Sequence, residues 1–259
     1  PTRSIGMNLA QFKEYIRGKD IIVVGNSLNS LEEKNGALID DYDRVIRFGK
    51  GIPNAITSEY VGSFTHGWVA GQMRLPMISL IPKGCQVFFN PSLKDETKST
   101  LDRITFDLLE EYDDYIQLYN PLILKKLKDR YNIHEDRRLS AGAIAAHFLT
   151  YRCRTYKSIT FINFDCFKNS TLFYSSSQGK TSIASSYHLP LLVDSHIPED
   201  FNDILHGHPA HDCNGEVRMF QDLLKHKRVH WIGELPSEDT PNRIIDAPVQ
   251  YLSGRRALK

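Results

Sequence analysis

The run Asp20-Ile-Ile-Val-Val-Gly-Asn-Ser27 constrains the fold of this chain more than any other stretch. Its four consecutive β-branched apolar residues, Ile21 to Val24, leave no polar position on either face. Such a run is typical of a strand buried on both sides in a parallel sheet that helices cover. Gly25, Asn26 and Ser27 then end the strand in a turn. We therefore expect a parallel sheet with this strand near its centre.

Further strand and helix patterns alternate along the chain. Strand patterns occupy 43–50, 85–92, 158–167 and 228–234, and helix patterns occupy 7–20, 100–112, 120–131, 140–152 and 214–227. The alternation predicts an α/β class with a Rossmann-like, mostly parallel sheet flanked by helices. Residues 1–259 are interpreted as a single domain. Segment 168–210 is rich in Ser, His, Pro and Tyr and has little periodicity, so we expect a flexible lid or acceptor-binding insertion there.

Polar loops follow several of the predicted strands. In parallel α/β sheets, ligands bind beyond the carboxyl ends of the strands. Turn preferences alone explain any one of these loops, but four of them at matching strand ends favour a nucleotide-sized ligand. Asn side chains offer donors and acceptors that suit ribose hydroxyls or a base edge. The candidate loops are Gly25-Asn26-Ser27, Arg47 to Lys50, Asn90-Pro91-Ser92 and Asp165-Cys166-Phe167.

The start of the predicted helix 140–152 is a second candidate for ligand binding. Neither GxGxxG nor GxxxxGK[ST] occurs in the sequence, which argues against simple dinucleotide and P-loop sites. The small residues Ser140, Ala141 and Gly142 would let a phosphate approach the first turn of a helix. Arg137 or Arg138 would add positive charge. The alternative is a close-packed helix start, capped by Ser140, with solvated arginines.

The stretch His208-Pro-Ala-His-Asp-Cys-Asn-Gly-Glu216 has three interpretations. His211 could be a catalytic base with Glu216 as its support. A zinc site could use His206, His208, His211 and Cys213, although the spacing is irregular and no CxxC accompanies it. The stretch could also be a polar loop that caps the helix 214–227, with Asn214 as the N-cap and Glu216 in the first turn. His147, within an apolar helix pattern, is expected to be a core residue.

The amino-acid composition restricts which binding partners and which cellular compartment we expect. The net charge is +1, so there is no global bias towards nucleic acid. Four cysteines without a CxxC pair predict a reducing compartment. The longest apolar runs are too short to span a bilayer. The basic end at 254–259 would suit a peripheral contact with an anionic membrane, and the sequence is compatible with an oligomer.

Four motifs, in this order along the chain, resemble those of sialyltransferases. The stretch from Val23 to Lys50 resembles the long donor-binding sialylmotif, and Ser58 to His66 resembles its continuation. Arg138 to Asp165 resembles the short sialylmotif. His211 and Glu216 match the H-x4-E of the very short sialylmotif. Asn90 and its neighbours also resemble a segment of the bacterial lipooligosaccharide sialyltransferases. The resemblance covers about Ile21 to Leu224.

This resemblance implies a GT-A-like variant fold with a flexible lid and a CMP-activated donor sugar. It further implies inversion at the anomeric carbon, no metal and no other cofactor, and an oligosaccharide or glycolipid acceptor. Asn26 would contact the donor nucleotide or its phosphate, Asn90 the cytidine side, His211 would be the general base, and Glu216 the acidic residue that closes the motif. The remaining donor-site residues would be Gly25, Ser27, Ser92, Arg138, Ser140, Ala141, Gly142, Asp165, Phe167 and Tyr174.

Three positions depart from the family pattern. Gly49 stands where the bacterial group has Asn. Phe167, which has no hydroxyl, is nearest to the position of a phosphate-binding tyrosine, and Tyr174 is the substitute candidate. Ile21 and Ile22 replace the cysteine of the eukaryotic disulfide, which favours a bacterial cytoplasmic enzyme, associated with the inner membrane and acting on a surface glycan. The alternatives are a CMP-Kdo transferase, a non-catalytic nucleotide-binding protein and a zinc hydrolase.

Overall fold

The computed structural model describes residues 7–27, 30, 33–49, 51–53, 55, 57–70, 84–89, 115–134, 137, 139–166, 173–175, 181–183 and 211–239. Seven strands in these ranges form one sheet: β1 (Asp20–Val24), β2 (Arg44–Phe48), β3 (Gly67–Ala70), β4 (Gln86–Phe89), β5 (Tyr115–Gln117), β6 (Ser158–Ile162) and β9 (Val229–Ile232). Their spatial order is β5-β4-β3-β2-β1-β6-β9, and each pairing is parallel. The predicted α/β class is confirmed.

Two short strands form a separate antiparallel pair, β7 (Phe173–Ser175) with β8 (Thr181–Ile183). They lie within 168–210, the segment predicted as a lid. The rest of that segment lies outside the described residues, so the lid stays a prediction.

Six helices accompany the sheet in the described part of the chain. They are α1 (Leu9–Tyr15), α2 (Gly36–Asp40), α3 (Ser58–Val61), α4 (Pro121–Arg130), α5 (Ala141–Arg152) and α6 (Cys213–Leu223). Side chains cap the longer ones: Asn120 accepts from the N–H of Ile123 before α4, and Ser140 accepts from that of Ala143 before α5. None of these helices combines the length and the apolar character needed to cross a membrane.

Strand β1 is buried on both faces, as its sequence predicts. Ile21 and Val23 belong to the large core cluster that the sheet shares with α1, α4, α5 and α6. Ile22 and Val24 belong to a smaller cluster on the other face, together with Ile39 of α2. Because neighbouring side chains of a strand point to opposite faces, the uninterrupted apolar run supplies both clusters.

The strand order reverses between β1 and β6. From β1 the chain builds the sheet outward through β2, β3, β4 and β5, and it then returns to place β6 and β9 on the other side. In open α/β sheets, the crevice at such a reversal is the usual ligand-binding position. Gly25, just after β1, brings the two strand ends together, and its N–H donates to the carbonyl of Ile162 at 2.8 Å.

The structure corrects and extends the predicted elements. Asn214 is not the N-cap of α6: Asp212, two residues earlier, caps the helix and accepts from the N–H of Gly215. Strands β3 and β5 are short and have no strong apolar run, and their sequences did not reveal them. The helix predicted at 100–112 lies outside the described residues.

His147 is a core residue, as predicted. Its side chain is buried in α5 and its Nδ1 lies 2.8 Å from the hydroxyl of Tyr119. Burial lowers the pKa of His147 to about 4, so the ring is neutral near neutral pH. It packs within the helix layer and takes no part in the candidate site.

Candidate functional site

Two asparagines carry unsatisfied polar atoms at the point where the strand order reverses. Asn26 follows β1 and donates through Nδ2 to the carbonyl of Phe48 at 2.9 Å. Its Oδ1 is buried and has no partner among the described residues, and the same holds for Nδ2 of Asn163, just after β6. Buried polar groups in folded proteins are nearly always hydrogen-bonded. An unsatisfied acceptor and an unsatisfied donor at the ends of β1 and β6 make Asn26 and Asn163 candidates for contact with a polar ligand.

The surrounding backbone holds Asn26 in place. A Cβ added to Gly51 would lie 1.8 Å from Oδ1 of Asn26, so the amide packs directly on the main chain there. Gly49 has a φ of +47°, a left-handed conformation that Gly and Asn tolerate best. Gly49 stands where the bacterial group has Asn, and both residues allow this conformation. The replacement is therefore compatible with the same backbone.

The predicted residues Ser140, Ala141 and Gly142 form the amino end of α5. The hydroxyl of Ser140 accepts from the N–H of Ala143 at 3.1 Å. A Cβ on Gly142 would come within 3.0 Å of the Phe164 ring, so glycine allows the helix start to pack against the residue that follows β6 and Asn163. The first N–H groups of a helix have no acceptor within it and suit an anion.

Glu216 joins the amino end of α6 to that of α5. Its side chain is 2% exposed. The carboxylate accepts from the backbone N–H of Ser140 at 2.6 Å and from the Ser140 hydroxyl at 3.0 Å. The two helix starts are therefore fixed to each other by one buried acidic side chain, rather than by apolar packing alone.

Burial raises the pKa of Glu216 to about 8. The two hydrogen bonds from Ser140 oppose this rise, while the charges of Asp165 and Asp212 add to it. Asp165, which is itself buried after β6, thus lies close enough to act on the same carboxyl. Near neutral pH, Glu216 is largely a neutral acid, and it adds little negative charge to the helix junction.

His211 lies immediately before the cap of α6. The neighbouring Asp212 accepts from the N–H of Gly215 at 2.8 Å and from the N–H of His134 at 3.1 Å. These bonds fix the main chain beside His211, and Glu216 fixes the first turn that follows. His211 is half-buried. Such an imidazole can exchange a proton with a bound substrate.

The described structure therefore brings together part of the predicted site. Gly25, Asn26 and Ser27 after β1, Asp165 after β6, and the starts of α5 and α6 lie at the same edge of the sheet. Tyr174 lies in β7, where the backbone alone is described. The remaining predicted residues, Asn90, Ser92, Arg138 and Phe167, lie outside the described residues.

Asn163 is a site residue that the sequence did not reveal. The strand pattern ran on to residue 167, whereas β6 ends at Ile162 because Asn163 adopts a φ of +63°. An asparagine directly after four buried strand residues is the signal that identifies it.

The zinc interpretation gains no support from the described residues. No group of three or more His, Cys, Asp or Glu side chains there is arranged to hold a metal ion. Of the four ligands considered, His211 and Cys213 are described, whereas His206 and His208 lie outside the described ranges.

Glu216→Gln should change how stability depends on pH. The folded state holds the Glu216 proton up to about pH 8, whereas the unfolded chain loses it near the ordinary value of 4.5. The free energy of unfolding therefore falls as the pH rises through this window. Glutamine is a neutral isostere, so the variant should gain roughly 4 kcal/mol relative to wild type between about pH 5 and about pH 8.5.

Urea unfolding at the two pH values measures this difference. Glu234→Gln, at an exposed glutamate away from the helix junction, is the matched control, and its curve should follow wild type at both. A Glu216→Gln variant whose difference from wild type is the same at both pH values would refute the protonated state of this side chain.

Comparisons with known proteins found likenesses in structure. No family model matches the chain, and no curated protein matches it by sequence. A crystal structure of a mammalian sialyltransferase superposes with a TM-score of 0.50 at 15% identity, covering 86% of this chain and 77% of that chain.

Two further solved structures are similar. One is a mammalian sialyltransferase in complex with Gal-beta-1-3GalNAc-ortho-nitrophenol (TM-score 0.49, 18% identity, 85% of this chain and 71% of that chain). The other is the sialyltransferase CST-II in complex with trisaccharide acceptor and CMP (TM-score 0.47, 13% identity, 86% of this chain and 87% of that chain). We base the comparison on the structure with a TM-score of 0.50: this chain shares the fold of a mammalian sialyltransferase.

Proposed function

We propose that this protein is an inverting, metal-independent glycosyltransferase that moves sialic acid from CMP-sialic acid to a hydroxyl of a glycan acceptor. The observation that carries the proposal is the crevice at the strand-order reversal, where Asn26 and Asn163 present unsatisfied buried polar atoms. The resemblance of four motifs to those of sialyltransferases supports it, as does the shared fold.

The donor would bind across the reversal point. The amides of Asn26 and Asn163 offer an acceptor and a donor to the nucleotide. The amino end of α5, capped by Ser140, offers free N–H groups and the positive end of the helix dipole to the phosphate. A largely protonated Glu216 suits this role, because an ionised carboxylate behind Ser140 would repel the phosphate.

Sugar transfer then needs a base and a stabilised leaving group. The C–O bond between the sugar and CMP breaks through an oxocarbenium-like state, and the acceptor oxygen forms the new bond on the opposite face. His211 would take the proton of the acceptor hydroxyl, since an imidazole is suited to general base work near neutral pH. The CMP phosphate gains negative charge as it leaves, and the N–H groups of α5 would stabilise it without a metal. Glu216 would act as a positioning residue.

The compartment and the acceptor are part of the proposal. None of the four cysteines forms a disulfide, and Ile21 and Ile22 stand where the eukaryotic family has its disulfide cysteine. These features support a reducing compartment, and we place the enzyme in a bacterial cytoplasm, near the inner membrane, with a surface oligosaccharide or glycolipid as acceptor. A CMP-Kdo donor is the alternative within the same chemistry. A non-catalytic nucleotide-binding protein is the alternative that Phe167 favours.

A donor screen tests the proposed function. Purified protein is given CMP-sialic acid, CMP-Kdo, a UDP-sugar and a GDP-sugar in the presence of EDTA, and the released nucleotide is measured. We expect CMP release from CMP-sialic acid and no release of UDP or GDP from the other donors. The activity should persist in EDTA, because the residues proposed for phosphate binding need no metal. Turnover of CMP-Kdo alone would select the alternative donor. No binding or turnover of either CMP-sugar, or activity that requires added zinc, would overturn the proposal.

His211→Ala should separate binding from chemistry. Removal of a general base typically lowers the rate by about 10²–10⁴-fold, whereas the donor contacts proposed for Asn26 and Ser140 remain. Transfer should fall by at least about 100-fold, while CMP affinity, measured by calorimetry, stays within about threefold of wild type. His230→Ala, at an exposed position on β9, is the control and should keep both. Equal loss of transfer and CMP binding in His211→Ala would rule out the base assignment.

A further inference from the structure

A second cleft lies at the opposite ends of the two helices that form the candidate site. We name it the Thr150 cleft, and it has a volume of about 120 Å³. Helix α5 has 12 residues, so at about 1.5 Å per residue its two ends are roughly 18 Å apart. The residues that line the Thr150 cleft are Thr150, Arg154, Tyr156, His226, Lys227 and Arg228.

The charges around the Thr150 cleft are uncompensated. Its lining contains Arg154, Lys227 and Arg228 but no carboxylate. Asp222, an acidic residue near the end of α6, is already engaged: it accepts from the hydroxyls of Tyr131 and Tyr151 and from two cationic side chains, those of Arg130 and Lys225. The Thr150 cleft therefore has an excess of positive charge.

One of these cations is held rigidly. Nη1 of Arg228 donates to the carbonyl of Arg154 at 3.1 Å and to that of Tyr156 at 2.8 Å. The guanidinium also lies over the Tyr156 ring, 5.1 Å from its centroid. A guanidinium has five N–H donors, and these contacts use one nitrogen. The other donors are thus presented in a fixed orientation, which lowers the entropy cost of binding an anion.

Thr150, one of the residues that line the cleft, carries an unsatisfied hydroxyl. Thr150 is 2% exposed, and its Oγ1 has no hydrogen-bond partner among the described residues. The hydroxyl of Tyr156 does not satisfy it, because that group donates to the carbonyl of Thr150. A buried hydroxyl without a partner costs roughly 1–3 kcal/mol, so its position in a basic cleft indicates an acceptor supplied by a ligand.

Helix dipoles alone do not explain this arrangement. Cations near the carboxyl ends of α5 and α6 are favourable because those ends carry partial negative charge. That role accounts for the presence of Arg154 and Lys227. It does not account for a cavity lined by both residues, nor for the unsatisfied hydroxyl of Thr150, another residue of the lining.

We propose that the Thr150 cleft binds a phosphate group, as a free phosphate or as the headgroup of an anionic phospholipid. Arg228 and Arg154 offer planar N–H donors, which pair well with phosphate oxygens, and Lys227 adds a point charge. The hydroxyl of Thr150 donates to a phosphate oxygen from the buried side. This site is separate from the proposed donor site and does not depend on the proposed activity.

The test compares a double variant of the Thr150 cleft with a matched control. Arg154→Gln with Lys227→Gln removes two charges from the cleft, and Lys125→Gln with Lys126→Gln removes two exposed charges from α4. Inorganic phosphate binding is measured by calorimetry at low ionic strength. Vesicle binding is measured by co-sedimentation with phosphatidylglycerol, with phosphatidylcholine as the neutral reference. Unchanged thermal midpoints without phosphate show that both variants fold.

We expect wild type and the control to bind phosphate, and the cleft variant to bind it at least about 10-fold more weakly. If the ligand is a lipid headgroup, phosphatidylglycerol binding should also fall, by roughly 30-fold, because each cation at an anionic surface contributes about fivefold. If vesicle binding is unchanged while phosphate binding falls, the ligand is a soluble phosphate. The absence of phosphate binding by wild type, or equal weakening in both variants, would overturn the proposal.

Discussion

The pairing of β1 with β6 is the constraint on which the candidate site depends. Gly25 lets the two strand ends approach so closely that an added Cβ would lie 2.2 Å from the carbonyl oxygen of Asn163. A backbone oxygen cannot move aside as a flexible side chain can, so this position tolerates little beyond glycine. The approach brings Asn26 and Asn163 to one crevice, at the point where the strand order reverses. Polar groups that would otherwise be solvated in separate loops thus become buried and unsatisfied together.

The second constraint is a buried acid between two helices. Burying a carboxyl group is unfavourable unless it is neutralised or hydrogen-bonded, and Glu216 has both: a raised pKa and two bonds from Ser140. The same contact fixes the start of α5, proposed to hold phosphate, relative to the start of α6, which follows the proposed base His211. Burial of Glu216 would thus cost stability, while its contact with Ser140 would hold the two halves of the site in position.

The sequence predicted the features that depend on local chemistry. Ile21 to Val24 indicated a doubly buried parallel strand, and Ser140 indicated a helix start; the structure confirms both. The cap of α6 was wrongly assigned to Asn214, because Asp212 and Asn214 are both good caps and the choice depends on the contact of Asp212 with His134. Asn163 was missed because its left-handed conformation is set by the approach of Gly25, which is a tertiary contact.

The Thr150 cleft was beyond sequence analysis for the same reason. Its residues come from two segments that are 70 positions apart, and nothing in either segment indicates a cavity. The resemblance to sialyltransferases was visible in scattered motifs, yet the order of the strands was needed to place those motifs at one edge of the sheet. Non-local pairing therefore decides which of the polar residues form a site.

The central claim is that a cytidine nucleotide binds where β1 and β6 end, and NMR titration with CMP tests it most directly. The backbone amide signals of Gly25 to Ser27, Asn163 to Asp165 and Ser140 to Gly142 should shift as CMP is added, because these residues surround the crevice. The signals of Lys125 and Lys126, exposed on α4, should shift far less. No shifts at the crevice, or shifts confined to another part of the sheet, would contradict the account.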